Sequence, residues 1–270
     1  MAGLKTYFAE DRYVTAADAP ASLLHRLLGG WRWSFYLQYF EVVLAARRLA
    51  VRGLYDDAAW AESSLAVLRT VERNRGRFDI TGMDNLRRSA GSGPFVFIAN
   101  HMSTLETQIL PVLIVPLLPV TFVVKEGLMV SGAFGPIMRS RDPVVVKRRN
   151  PREDLEEVLR AGGERLRRGV SLVVFPQSTR SPVFRPELFN TLGVKLAAAA
   201  GVPAFPIAIK TDFWGEEGLF RGFGPVRPER TIHIEFGKPL EVSGRGKEQH
   251  QAILEFIESR LRLWQETATA

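Results

Sequence analysis

Cysteine is absent from this chain. Disulfides, thiolate metal sites and cysteine nucleophiles are thereby excluded, and redox chemistry gives no clue to the compartment. Histidine is scarce too: His25, His101, His233 and His250 are too scattered over 270 residues to suggest a metal cluster. The N-terminus has acidic residues and no short apolar stretch followed by a small-residue cleavage site, so no secretory signal is expected. Repeats and low-complexity linkers are missing. One run of membrane-spanning length carries no charge, residues 107–124, but Pro111, Pro116 and Pro119 interrupt it. Each interior proline disrupts a helix, so a buried helix to about Ile114, a proline turn and a strand over 121–125 fit this run better than a transmembrane span.

What is present suits a globular enzyme: 46% of residues are hydrophobic and 24% charged, enough to bury a full core in one domain. Lysine plus arginine outnumber aspartate plus glutamate by 36 to 29, giving +7 and a pI near 10. An anionic partner follows, whether nucleic acid, an acidic membrane surface or a phosphorylated substrate. Arginine supplies most of the charge, and its planar fork favours bidentate binding of phosphate or carboxylate. Nucleic acid is the weakest of the three, since no recognised binding motif is present.

From Leu23 to about Arg75 the pattern is helical, with Asp56 and Asp57 as caps and Gly76 as a stop. Trp31, Trp33, Phe35, Tyr36, Tyr39 and Phe40 crowd one stretch, and Arg47, Arg48 and Arg52 follow. Two readings stand equally: aromatics inserted in a lipid headgroup layer with arginines on phosphates, or a helix packed on a core. Downstream, β-type runs at 94–99, 121–125, 143–147, 171–175, 204–210 and 231–236 alternate with helical patterns at 151–168, 188–200 and 247–265. This predicts an α/β fold, a layered mixed sheet flanked by helices with ligands at strand ends, preceded by N-terminal interfacial helices. The expected division is a membrane-associating segment over 1–76 and an α/β domain over 77–270.

Two strand exits carry the chemistry. Asn100 and His101 end the first β-type run, and Glu106 follows the histidine after four intervening residues. A histidine there is anchored yet open to substrate, and a carboxylate one turn into the next helix can hold its Nδ1 proton, so the pair fits a general base and its orienting acid. The run at 171–175 breaks at Pro176 into Gln177, Ser178, Thr179 and Arg180. Between them lies a basic stretch, Arg139, Arg141, Lys147, Arg148, Arg149 and Arg152, with Arg148 just past a strand. Arg148 and Arg180 at adjacent strand ends predict a phosphate clamp, against the alternative of a solvated charge run.

At these residues the chain resembles the glycerolipid acyltransferases of the lysophosphatidic acid acyltransferase type. Asn100, His101 and Glu106 are similar to that family's NHxxxxD block, and residues 175–181 (FPQSTRS) to its FPEGTRS block. Residues 135–148 (GPIMRSRDPVVVKR) resemble the block ending in a substrate-phosphate arginine, 202–208 (VPAFPIA) the proline-marked final block, and 123–128 (VVKEGL) the segment between the first two. Four ordered blocks are far more specific than one motif. The resemblance implies transfer of a fatty acyl group from a thioester on coenzyme A or acyl carrier protein to a lysophospholipid hydroxyl, most simply 1-acyl-glycerol-3-phosphate, at the cytoplasmic face of a membrane. It implies His101 and Glu106 as the catalytic pair, with Asn100, Arg148, Gln177, Ser178, Thr179 and Arg180 toward the substrate and apolar residues around 105–118 in an acyl groove. No metal or redox cofactor is implied.

Three positions depart from the pattern. Glu106 replaces an aspartate and reaches one methylene further, as in the His-X4-Glu pattern of lipid A acyltransferases. Gln177 replaces a glutamate and cannot carry charge. Ser178 replaces a glycine where backbone and substrate would approach. These leave open an acceptor such as a lipid A type glycolipid or an ornithine lipid, and a non-catalytic lipid-binding protein on the same fold.

Overall fold

The computed structural model describes residues 7–30, 32–177, 179–215, 217 and 224–269. Among the described residues eight strands form one mixed sheet: β1 (Tyr13–Val14), β2 (Phe78–Thr81), β3 (Val96–Ala99), β4 (Val120–Lys125), β5 (Val144–Val146), β6 (Ser171–Val174), β7 (Ala204–Lys210) and β8 (Ile232–Phe236), in the order β1-β2-β8-β7-β3-β6-β4-β5. From β7 to β5 the neighbours are all parallel. Their carboxyl ends therefore share one rim, and the loops leaving β3, β4, β5 and β6 meet there.

Side chains alternate across the sheet and divide the core. Phe97 and Ala99 of β3 face one cluster, while Val96 and Ile98 face the other. The first cluster is closed by helices Trp33–Val51, Asp57–Arg73 and Leu105–Ile114. The second is closed by Pro151–Glu157, the π-turn Val158–Gly162, Gly163–Arg167, Leu192–Ala200 and Lys247–Thr269. Gly193 lets the Leu192–Ala200 helix sit tightly on β3, since a Cβ there would lie 2.7 Å from Ile98 Cδ1.

The helices and the six strands expected downstream are present, and the 107–124 run resolves into the end of the Leu105–Ile114 helix, a turn and β4. Among the described residues no helix is long and apolar enough to cross a membrane. Two strands were not anticipated. Tyr13–Val14 and Phe78–Thr81 are short, and what holds them is pairing: β1 on Asp79 and Ile80, and β2 on β8.

The aromatic stretch near the N-terminus divides between the two readings. Phe35, Tyr36 and Tyr39 are buried and crowd around Trp214, with ring centroids 5.0, 5.9 and 4.9 Å from it. Insertion of these three rings in lipid is therefore corrected to core packing; each buried ring stabilises by about 2 kcal/mol or more, which an exposed site forgoes. Trp31 lies outside the described residues. The outward stripe of the same helix is instead Trp33, Leu37, Leu44 and Val51, all exposed.

Candidate active site

β3 delivers Asn100 and His101 to the rim. Asn100 is buried and committed to backbone: Nδ2 donates to the Ile209 carbonyl at 2.7 Å, and Oδ1 accepts from the Ile209 amide at 2.9 Å. This amide continues the β3–β7 pairing one residue beyond the strand and fixes where the histidine begins. Asn100 thus positions the exit rather than lining the cavity described below.

His101 Nδ1 lies 2.8 Å from Glu106 Oε1. Its ring stacks on Phe175 at 4.3 Å and 19°. Its backbone N–H donates to Gln177 Oε1 at 2.7 Å, and its carbonyl accepts from the Ser181 amide at 3.0 Å. The two exits, 76 residues apart in sequence, are thus stitched together. The carbonyl oxygen of an amide serves as well as a carboxylate oxygen as acceptor for that N–H, so Gln177 keeps this positioning contact despite losing the charge.

Glu106 is fully buried at the start of its helix. Oε1 accepts from His101 Nδ1, from the Met102 amide at 2.6 Å and from the Ser103 amide at 2.8 Å; Oε2 accepts from Thr211 Oγ1 at 2.6 Å and lies 2.9 Å from Ser103 Oγ. Burial pushes the carboxyl upward, but the hydrogen bond and charge of His101, with the Thr211 hydroxyl, outweigh it and hold Glu106 below the usual glutamate value. A carboxylate so held keeps the proton of neutral His101 on Nδ1 and leaves the lone pair on Nε2, the arrangement a general base requires. Ser103 and Thr211 are the functional residues the sequence did not flag. Thr211 follows β7, 105 residues from Glu106, and a threonine after a strand carries no signal of its own.

A cavity of 1180 Å³ runs over the rim and is lined by His101, Arg148, Gln177, Thr179 and Arg180. On the first face of the sheet its wall is apolar, with Val43, Ala46, Trp60, Phe134 and Met138. The expected acyl groove around 105–118 is corrected here. Leu105, Ile109, Leu110 and Leu113 are buried core, and only Thr107 and Gln108 of that helix reach the cavity, because its apolar face is consumed by packing on the Asp57–Arg73 helix.

Of the basic stretch, Arg148 is the arginine that lines the cavity. Arg141 pairs with Asp57 at 2.7 Å and lies over Trp60, Arg152 pairs with Glu156, and Arg139 donates to the Met129 carbonyl. Arg148 has φ of +56°, a left-handed conformation rare outside glycine, just after the Lys147 amide donates to Asp154 Oδ1 at 2.9 Å. Strain of this kind persists only where surrounding bonds impose it. Desolvation pulls the Arg148 guanidinium below its ordinary value while the charge of Asp154 pulls it back; it remains a cation. Arg180 donates to Thr104 Oγ1 beside the dyad, and Thr179 bonds the Arg180 carbonyl at 3.0 Å. Ser178 lies outside the described residues.

Comparison with known proteins follows the same lines. Residues 77–210 match the family model described as Acyltransferase. The 1-acyl-sn-glycerol-3-phosphate acyltransferase of Pseudomonas aeruginosa is 29% identical over 232 residues, 86% of this chain and 80% of that protein. A chloroplastic 1-acyl-sn-glycerol-3-phosphate acyltransferase of Brassica napus, BAT2, is 33% identical over 153 residues, 55% of this chain and 42% of that protein. In fold, the chain is similar to the crystal structure of the 1-acyl-sn-glycerophosphate acyltransferase PlsC of Thermotoga maritima, with a TM-score of 0.61 at 19% identity over 92% of this chain and 98% of that one.

Proposed function

The chain belongs to the acyltransferase family and is an O-acyltransferase, and from that premise we propose that it acylates 1-acyl-glycerol-3-phosphate from a fatty acyl thioester at a membrane surface. The observation that carries the reading is the His101–Glu106 pair set at the rim of a cavity that is apolar on one side and cationic on the other. His101 Nε2 takes the proton of the acceptor hydroxyl as its oxygen attacks the thioester carbonyl. The tetrahedral intermediate collapses with cleavage of the carbon–sulfur bond, and the leaving thiolate recovers the proton from the imidazolium. Glu106 stabilises that imidazolium meanwhile. Backbone amides at Gln177 and Thr179 are the donors proposed for the oxyanion. Arg148 and Arg180 hold the phosphate of the acceptor, and the apolar wall receives an acyl chain. These steps close without a metal or a redox group.

Attachment is proposed through the exposed stripe Trp33, Leu37, Leu44 and Val51, with Arg48 and Arg52 beside it to meet the anionic lipids of a cytoplasmic leaflet. Mass spectrometry of lipids formed by the purified protein from acyl-CoA or acyl carrier protein thioesters and a panel of lysolipids tests the acceptor. Phosphatidic acid is the expected product. Acylation of a glycolipid or ornithine lipid in its place overturns the acceptor, and failure to consume any thioester overturns catalysis.

A further inference from the structure

The described cavity walls carry more positive charge than one headgroup phosphate needs. Lys125, Arg148, Arg180 and Lys195 line them, against a single acid, Asp154. Arg180 sits beside the dyad and Arg148 at the β5 exit, and both are spoken for by the acceptor. Lys195 is different in place and in company. It lies on the Leu192–Ala200 helix, whose Val194, Leu196 and Ala197 pack with Val96 and Ile98 on the second face of the sheet, opposite the apolar wall. It is exposed and makes no ion pair among the described residues. The close seat of Gly193 on Ile98 fixes the first turn of that helix, and with it the backbone that carries Lys195. Thr191, just ahead of it, also lines the cavity and makes no capping bond with its side chain, leaving a hydroxyl at the wall.

We infer that this second-face arm of the cavity is the donor site, with Lys195 binding the phosphate of the donor's phosphopantetheine arm and Thr191 an amide along it. The inference rests on the acyl-thioester reading above. The lining on that side suits a linear, amide-bearing chain ending in phosphate: Asn190, Thr191 and the exposed Lys195 offer polar groups beside apolar Leu155 and Leu192, and the same cavity reaches His101, where the thioester must lie. Coenzyme A and acyl carrier protein share this arm, so Lys195 serves either source.

The test compares wild type with Lys195→Ala and Lys195→Arg, using palmitoyl-CoA, palmitoyl carrier protein, and palmitoyl N-acetylcysteamine thioester, which lacks the phosphate. Lys195→Ala should raise KM for the two phosphate-bearing donors about five- to twentyfold. KM for the N-acetylcysteamine donor and for the lysolipid should stay within twofold, and arginine should restore most of the loss. A rise in the lysolipid KM instead overturns the assignment and makes Lys195 a headgroup residue. Equal rises for all three donors, or none, also overturn it. Calorimetric binding of coenzyme A, read without turnover, separates this failure from failure of the enzymatic reading. Unchanged coenzyme A affinity in Lys195→Ala refutes the donor site, whereas a wild type that consumes no thioester refutes the reaction.

Discussion

His101 and His233 are nearly matched in burial, with side chains 14% and 13% exposed. Each stacks on an aromatic ring, His101 on Phe175 at 4.3 Å and His233 on Trp264 at 5.0 Å. Each has a carboxylate nearby. The difference lies in how that carboxylate is held. Glu106 is fully buried, bonds Nδ1 at 2.8 Å and is anchored by Met102, Ser103 and Thr211. Asp79 is part-exposed, stands 3.7 Å from His233 Nδ1 and spends both oxygens on Arg12. His233 Nδ1 is left buried with no hydrogen bond. A stacked, half-hidden histidine is thus not in itself set up for base chemistry; a fixed carboxylate and an open cavity beside the ring distinguish His101.

The strongest way to break that comparison is to remove each ring. His101→Ala should lower kcat by about two to four orders of magnitude, the usual cost of losing a general base, with the thermal midpoint little changed. His233→Phe should keep kcat within twofold, and comparable losses in the two variants would dissolve the distinction. Glu106→Gln comes next. It keeps the shape but removes the charge that stabilises the imidazolium, so kcat should fall by roughly ten- to a hundredfold, less than for His101→Ala. Glu106→Asp keeps the charge but is one methylene short of holding His101 and Thr211 together, so partial activity is expected. Asp79→Asn should do nothing to turnover. A smaller effect belongs to Thr211→Val, which strips one charge-assisted bond from Glu106; about a tenfold loss in kcat with unchanged KM for both substrates is expected. A Thr211→Val enzyme of wild-type rate would show that the other four donors, His101 Nδ1, the Met102 and Ser103 amides and the Ser103 hydroxyl, suffice.

Much of this site was legible because its parts are local. The β-type run before His101 with its four-residue spacing to Glu106, and the separate run that breaks at Pro176, each occupy only a short stretch of chain, and periodicity plus turn chemistry reads such distances. What escaped depends on contacts made across the sheet. Thr211 and Asn100 act through β7, the Gln177 oxygen faces the chain leaving β3, and β1 and β2 exist through their partners. The aromatics at 35–39 were ambiguous for the same reason: a helix shows which residues share a stripe, but what faces that stripe is settled by Trp214, some 175 residues away.

The smallest effect sharpens the comparison from the other side, through stability. Burial is the main cause that pulls His233 down from 6.5 to about 4, opposed by the charge of Asp79. Its folded value is therefore depressed, and between pH 6.5 and 4 the unfolded chain binds the extra proton. Stability from the neutral ring is then fully present above pH 6.5, falls as pH drops toward 4, and levels off below. The full shift corresponds to about 3 kcal/mol at 1.36 kcal/mol per unit, but a ring in partial contact with solvent and nearby charges realises less, so roughly 1 kcal/mol is expected. Denaturant melts of wild type and His233→Phe at pH 7.5 and pH 5 measure it. The phenylalanine preserves the stack on Trp264 and cannot be protonated, so the gap between the two pH values should shrink by that amount. Glu106, held below the ordinary glutamate value, adds its own loss of stability at more acidic pH in both proteins and drops out of the difference. An identical pH dependence in the two proteins would mean that His233 titrates as it does in the unfolded chain.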